Sequence, residues 1–273
     1  MTKAQKIIKY LAIGFAVFLI VSIFSGILGA LYALSGILGL KKEEEKVTLG
    51  DQEQIVFETT DISELEISLA FTNLTIKTGD MLKVETNNKY IESKEKSNGI
   101  YIKENRHNWI SNKENLDLTL YIPENTELGK VKINAGAGKV TIESLNARKL
   151  DFEIGAGETK IENVNISQEC DIEGGAGKLV VRDGEINNLN LDMGIGEVDL
   201  SAKLLGKSDI NAGVGKLNIN LQSNKEDYSI KAEKGIGQIK IDGRDIGDNA
   251  VYGSGDNYIK IDGGIGSIDI DFE

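Results

Sequence analysis

The residues with the most capacity for chemistry in this sequence are carboxylates set in a periodic row. Counted back from glycines that recur along the second half of the chain, the position two before reads Asn134, Glu153, Glu173, Asp192, Asn211, Glu233 and Asp262. Asp151, Asp171 and Asp209 lie two residues further back. Clustered carboxylates suit hard cations such as calcium. A solvated face that keeps a protein soluble uses the same residues, and that is the reading taken here. No cofactor and no bound metal are expected; weak surface calcium binding is the alternative.

Other chemistry is sparser. His107 is the sole histidine and sits beside Trp109 in the polar stretch 105–114. No serine or cysteine nucleophile accompanies a visible base, so no catalytic residues are assigned. Cys170 is the only cysteine, which rules out an internal disulfide, and its place in the repeat points inward, as a small apolar residue. Gly206-Lys207-Ser208 resembles the end of a phosphate loop, but Ser201 stands where the leading glycine is required and no helix follows. Gly174-Gly175-Ala176-Gly177 resembles a calcium-roll turn, yet Leu179 replaces the ligand aspartate. A net charge of −12 repels nucleic acid.

The elements that position these residues are repeats. Gly-x-Gly recurs as Gly136 and Gly138, Gly155 and Gly157, Gly175 and Gly177, Gly194 and Gly196, Gly213 and Gly215, Gly235 and Gly237, and Gly264 and Gly266. The first four intervals are 19 or 20 residues and the last two are 22 and 29. Apolar residues fall five, three and one before the first glycine, as in Val131, Ile133 and Ala135. The residue between the glycines is also apolar, from Ala137 to Ile265, and is placed on the same inward face. Beyond the second glycine the apolar positions shift by one, as in Val140 and Ile142. A strand cannot slip parity and keep one face inward, so the glycines read as corners. A third apolar pair follows in some units, such as Leu145 with Ala147 and Val164 with Ile166.

A fixed period with β alternation predicts an all-β, parallel β-solenoid of about 20 residues per rung, each rung stacked on its sequence neighbour. Three past each first glycine the chain reads Lys139, Glu158, Lys178, Glu197 and Lys216, then Gln238 and Ser267. Alternating charges are what a parallel stack about 4.8 Å apart favours.

Thirty residues without a charge, 11–40, predict one transmembrane helix preceding the solenoid. The run is too long for a signal-peptide core. Ser22, Gly26, Gly29, Ala33 and Gly36 make a small-residue stripe on it. Such a stripe suits a homodimer or a partner membrane protein, although glycine is common in membrane helices generally. Lys3, Lys6 and Lys9 before the span balance Lys41, Lys42 and Lys46 after it, and acidic residues count little in this rule; a free amino terminus together with Glu43, Glu44 and Glu45 tilts the orientation slightly towards an inside amino terminus. The domain plan is therefore a short tail 1–10, the helix 11–40, a charged stalk 41–54, a β-rich cap 55–122 and the repeat domain 123–273.

Within the cap, strands are expected at 82–86, 90–92, 100–103 and 116–122. Residues 67–76 align on 133–142 with Ala70 and Thr72 in place of the glycines, a degenerate first rung. At the other end, 242–257 is an Asp/Gly/Asn-rich excursion and Ile268-Asp-Ile-Asp-Phe272 is expected as an acidic edge strand.

The run Leu116-Asp-Leu-Thr-Leu-Tyr-Ile-Pro-Glu-Asn-Thr-Glu-Leu-Gly-Lys-Val-Lys-Ile-Asn-Ala-Gly-Ala-Gly-Lys-Val-Thr-Ile142 and the ladder after it resemble a bacterial family. It is the β-strand-repeat "putative adhesin" domain of unknown function, related to the toast-rack domains of envelope-stress membrane proteins. The resemblance covers about residues 55–273 and implies an all-β repeat behind a membrane helix on the cell surface. It carries over no catalytic residues. The expected function is a membrane-anchored, extracytoplasmic binding protein without catalysis, taking a cell-envelope polymer or protein as partner. The alternatives are a structural spacer and a polysaccharide-acting enzyme.

Overall fold

The computed structural model describes residues 53–57, 62–105 and 115–273. The apolar run 11–40 with its small-residue stripe, nearly all of the stalk, and the loop bearing His107 and Trp109 lie outside the described residues. Among those described, no helix is long and apolar enough to cross a membrane.

The described residues form one compact unit built almost wholly of strands. In the first part these are β1 (Glu53–Val56), β2 (Glu64–Leu69), β3 (Asn73–Gly79), β4 (Lys83–Thr86), β5 (Ile91–Lys96), β6 (Gly99–Glu104) and β7 (Asp117–Pro123). The repeat follows as β8 (Leu128–Val181), which runs through three Gly-x-Gly corners, then β9 (Gly184–Asn187), β10 (Leu189–Asp192), β11 (Ile195–Leu205) and β12 (Lys207–Leu221). A 3-10 turn at Lys225–Asp227 leads to β13 (Tyr228–Glu233), β14 (Ile236–Ile241), β15 (Arg244–Asp245), β16 (Ala250–Gly253) and β17 (Asn257–Phe272).

Equivalent residues of neighbouring rungs pair in parallel and in register. Gly196 lies beside Gly177 on one side and Gly215 on the other, and Leu191 lies between Ile172 and Ile210. The degenerate rung keeps the offset seen in the sequence, with Ile67 beside Ile133 and Ile76 beside Ile142. Stacking buries three stretches of a full rung, as the rung of Gly155 shows. Leu150 and Phe152 come before the corner, Ile161 after it, and Val164 and Ile166 on the third stretch, all at 1% exposure or less. Cys170 is buried among them, and burial pushes its thiol pKa up.

Three expectations are corrected. First, the residue between the glycines points outward: Ala137, Ala156, Ala176, Ile195, Val214, Ile236 and Ile265 are all exposed. Positions five and three before the glycine are buried and so are those four and six after it, so the parity slip falls between the first glycine and the next residue. The second glycine then makes the turn. Gly196 has φ +150, and a Cβ there would overlap the carbonyl oxygen of Gly177 in the rung beneath. Only glycine lets rungs approach this closely at a corner.

Second, stacking order departs from sequence order at both ends. β12 pairs along its length with β17, and β13 and β14 pair with the other side of β17. The rung of Gly264 therefore lies between those of Gly213 and Gly235. Likewise β2 and β3 lie between β8 and the later strands β6 and β7. Third, β17 is consequently an interior strand, with parallel neighbours on both sides of Ile268. The outermost positions fall instead to antiparallel strands. β16 covers β13 and β15 covers β14, while β5 covers β6, β4 covers β7 and β1 covers β4. An antiparallel strand needs only a tight turn, whereas another parallel rung needs a full coil.

Candidate functional site

In-register stacking turns each outward position of the repeat into a column of side chains running along the unit. Four columns bear on function. The first is the corner itself. In stacking order it reads Phe71, Ala137, Ala156, Ala176, Ile195, Val214, Ile265 and Ile236. Exposures of 42% at Phe71, 51% at Ile195, 43% at Val214, 38% at Ile265 and 45% at Ile236 make it a continuous apolar ridge. Contiguous exposed apolar strips on soluble domains mark interaction sites more often than scattered apolar residues do.

Beside the ridge runs the alternating column predicted from the sequence. Lys139 pairs with Glu158 at 3.6 Å and Lys178 with Glu197 at 3.2 Å, while Glu197 and Lys216 are register neighbours. These pairs are solvent-exposed and each contributes about 1 kcal/mol or less. Asn73 takes the equivalent place in the degenerate rung, its Oδ1 accepting from the Lys139 N–H.

The next face carries an open groove lined by residues that include Lys160, Arg182, Asp199, Ser201, Asn218 and Asp271. Lys178 donates to Asp199 at 2.9 Å and Asn218 Nδ2 donates to the same carboxylate at 2.5 Å. Partial burial pushes the Asp199 pKa up, but these two donors outweigh it and hold it below the usual range. The Lys178 pKa is raised, first by Asp199 and then by Glu197. Lys160 and Arg182 both pair with Glu162 on this face, and Asp269 and Asp271 line the groove further along.

The carboxylate columns fall on the opposite flank. Lys132 reaches both Asp151 at 3.2 Å and Glu153 at 3.3 Å, Lys231 reaches Glu233 and Lys260 reaches Asp262. Asn211 donates to Asp192. Asp171, Glu173 and Asp209 stand in the same two columns, with Asp171 beside Asn190 and Asp209 beside Lys260. Among the described residues no group of three or more His, Cys, Asp or Glu side chains is arranged to hold a metal ion.

Two features escaped the sequence reading. One is the outward ridge. Counting back by twos from Val198 and Leu200 would have placed Gly196 inward and Ile195 outward, so the signal was present. The other is Glu104. Its Oε2 accepts from the backbone N–H groups of Ala70, Phe71 and Thr72 at 2.8, 3.0 and 3.2 Å, and its Oε1 accepts from Asn88 Nδ2. Asn88 Nδ2 also donates to Thr72 Oγ1 at 2.7 Å. These N–H groups belong to the degenerate corner, and the carboxylate supplies acceptors where no Gly-x-Gly corner is stacked above it. No local sequence pattern announces a contact across 34 residues.

The fold and its columns define a parallel-stacked β-repeat protein whose outward chemistry is laid out in rows. The chain belongs to the family described as Toastrack DUF4097, whose model matches residues 62–262. No curated protein matches it. Among solved structures it is similar to a "putative cell adhesion protein" from Clostridium sporogenes at 18% identity, covering 82% of this chain and 99% of that one with a TM-score of 0.35. A "putative adhesin" from Bacteroides fragilis has 14% identity, coverage of 81% and 97%, and a TM-score of 0.44. A "putative lipid binding protein" from Parabacteroides distasonis has 14% identity, coverage of 81% and 97%, and a TM-score of 0.37.

Proposed function

We propose that this chain is a membrane-anchored, extracytoplasmic binding protein that carries out no catalysis and needs no cofactor. The observation that carries the reading is the columnar surface: stacking presents long rows of outward side chains about 4.8 Å apart. Rows of that kind suit an extended polymer or a protein surface better than a small molecule enclosed in a pocket. The uncharged run 11–40 supplies the anchor, and the β domain is assigned to the outside of the membrane. The groove between Lys139 and Asp271 is the face assigned to the ligand, an envelope polymer or protein.

Two measurements test it. A thiol introduced at the exposed Glu226, in the 3-10 turn, should react with an impermeant maleimide on intact cells; labelling only after lysis would refute surface exposure. Full-length protein should also be retained saturably by cell-wall polymers or envelope extracts, with Arg182→Glu reducing retention. Absence of retention would favour a spacer.

A further inference from the structure

We propose that the apolar corner ridge is the interface of a homodimer, two copies packing antiparallel about a two-fold axis. The ridge spans eight rungs, and an axis that uses all of them must pass between the rungs of Ala176 and Ile195. That operation sets Phe71 against Ile236 of the second copy, Ala137 against Ile265, Ala156 against Val214 and Ala176 against Ile195. Each alanine of one half meets a branched side chain of the other, so small faces large along the ridge, the arrangement close packing needs. A two-fold interface must be self-complementary in this way.

The neighbouring column obeys the same operation independently. An axis perpendicular to the ridge leaves each flank facing its own copy in reverse order. Lys178 then faces Glu197 of the second copy and Glu158 faces Lys216, while Lys139 meets Ser267 and Asn73 meets Gln238. Every charge meets an opposite charge or a neutral polar group. On the far flank, beyond the bare first glycines, Asn134 faces Asp262 and Glu153 faces Asn211, leaving Glu173 against Asp192 as the one like-charged meeting. Eight rungs cover roughly 34 Å. With its flanks the strip offers on the order of 700 Å² per copy, against about 800 Å² in a standard stable interface.

This pairing is separate from any association through the anchor, and register distinguishes the two. Ala156 and Val214 are three rungs apart in one chain, about 14 Å, too far for an internal disulfide. Full-length A156C/V214C should therefore form a disulfide-linked dimer on mild oxidation in native membranes. V214C/I236C, two rungs apart in one chain at about 9.6 Å, is five rungs out of register across the axis, with neither thiol closer than three rungs to its own copy, and should link far less. The buried Cys170 provides no competing thiol. K216E and E158K should each weaken association in detergent, V214D by about a hundredfold or more, and the double swap E158K/K216E should restore it. Equal linking by both cysteine pairs would overturn the proposal. So would no linking by either, including the case where the position-214 thiol is protected from maleimide by some other occupant.

Discussion

The corner at Gly194–Gly196 and the corner at Ala70–Thr72 do the same job by opposite means. In the first, backbone lies directly on backbone from rung to rung, and glycine is required because a side chain would overlap the carbonyl beneath. In the second, the strands stacked outside, β6 and β7, are joined by a segment without a Gly-x-Gly, and alanine, phenylalanine and threonine are accommodated. The three N–H groups left facing outward are taken by the Glu104 carboxylate. The repeat is thus propagated by backbone complementarity at its glycine corners, and where the Gly-x-Gly series stops a side chain accepts from the corner N–H groups.

Breaking each corner should reveal this difference. Gly196→Ala adds strain at φ +150 and an overlap that the stack cannot relieve, so a loss of about 3 kcal/mol or more, or failure to fold, is expected by chemical denaturation. Glu104→Ala leaves backbone donors and the Asn88 amide without their acceptor and should cost about 2–4 kcal/mol. Glu104→Gln, which keeps one acceptor oxygen, should recover part of that. Hydrogen exchange should localise the damage differently: across the stack for the glycine variant, near Ala70–Thr72 for the glutamate variants.

Acid sharpens the comparison. Asp199, in the central groove, and Glu85 on β4, hydrogen-bonded by Lys83 and by Tyr121 of β7, both have depressed carboxyl pKa values. A depressed folded-state pKa means stability that is present above the unfolded value and lost as pH falls towards the folded one. The melting temperature should hold from neutral pH and fall below about pH 4. Asp199→Asn should flatten that fall. Smallest of all, Lys139→Ala or Glu158→Ala should change stability by about 1 kcal/mol or less, an effect that salt reduces further. Millimolar calcium should leave the melting curve unchanged.

Much of the architecture is legible in the residues because a stacked rung repeats its constraints. The period gives the rungs, the apolar pairs give the buried stretches, and the Lys/Glu alternation gives the parallel register. What misled was local to the corner and to the ends. Ile195 and its equivalents are apolar, and alternation alone sends an apolar residue inward; only the exact site of the parity slip sends it out. The interchange of the Gly235 and Gly264 rungs is invisible to a reading that assumes neighbours in sequence are neighbours in space. The intervals of 22 and 29 residues were its only trace. Glu104 was hidden for a related reason, since its partners are fixed by the path of β6 beside β2 and not by spacing.

The stacking order is the claim on which the columns, the ridge and the two-fold match all depend. It is tested most directly by paired spin labels on the face of β12. Labels at Lys216 and Ser267 occupy register partners about 4.8 Å apart, and should show strong spin exchange. Labels at Lys216 and Gln238, successive in the repeat but separated by the β17 rung, should show dipolar broadening at about 9.6 Å without exchange. Strong exchange in the second pair and its absence in the first would contradict the account.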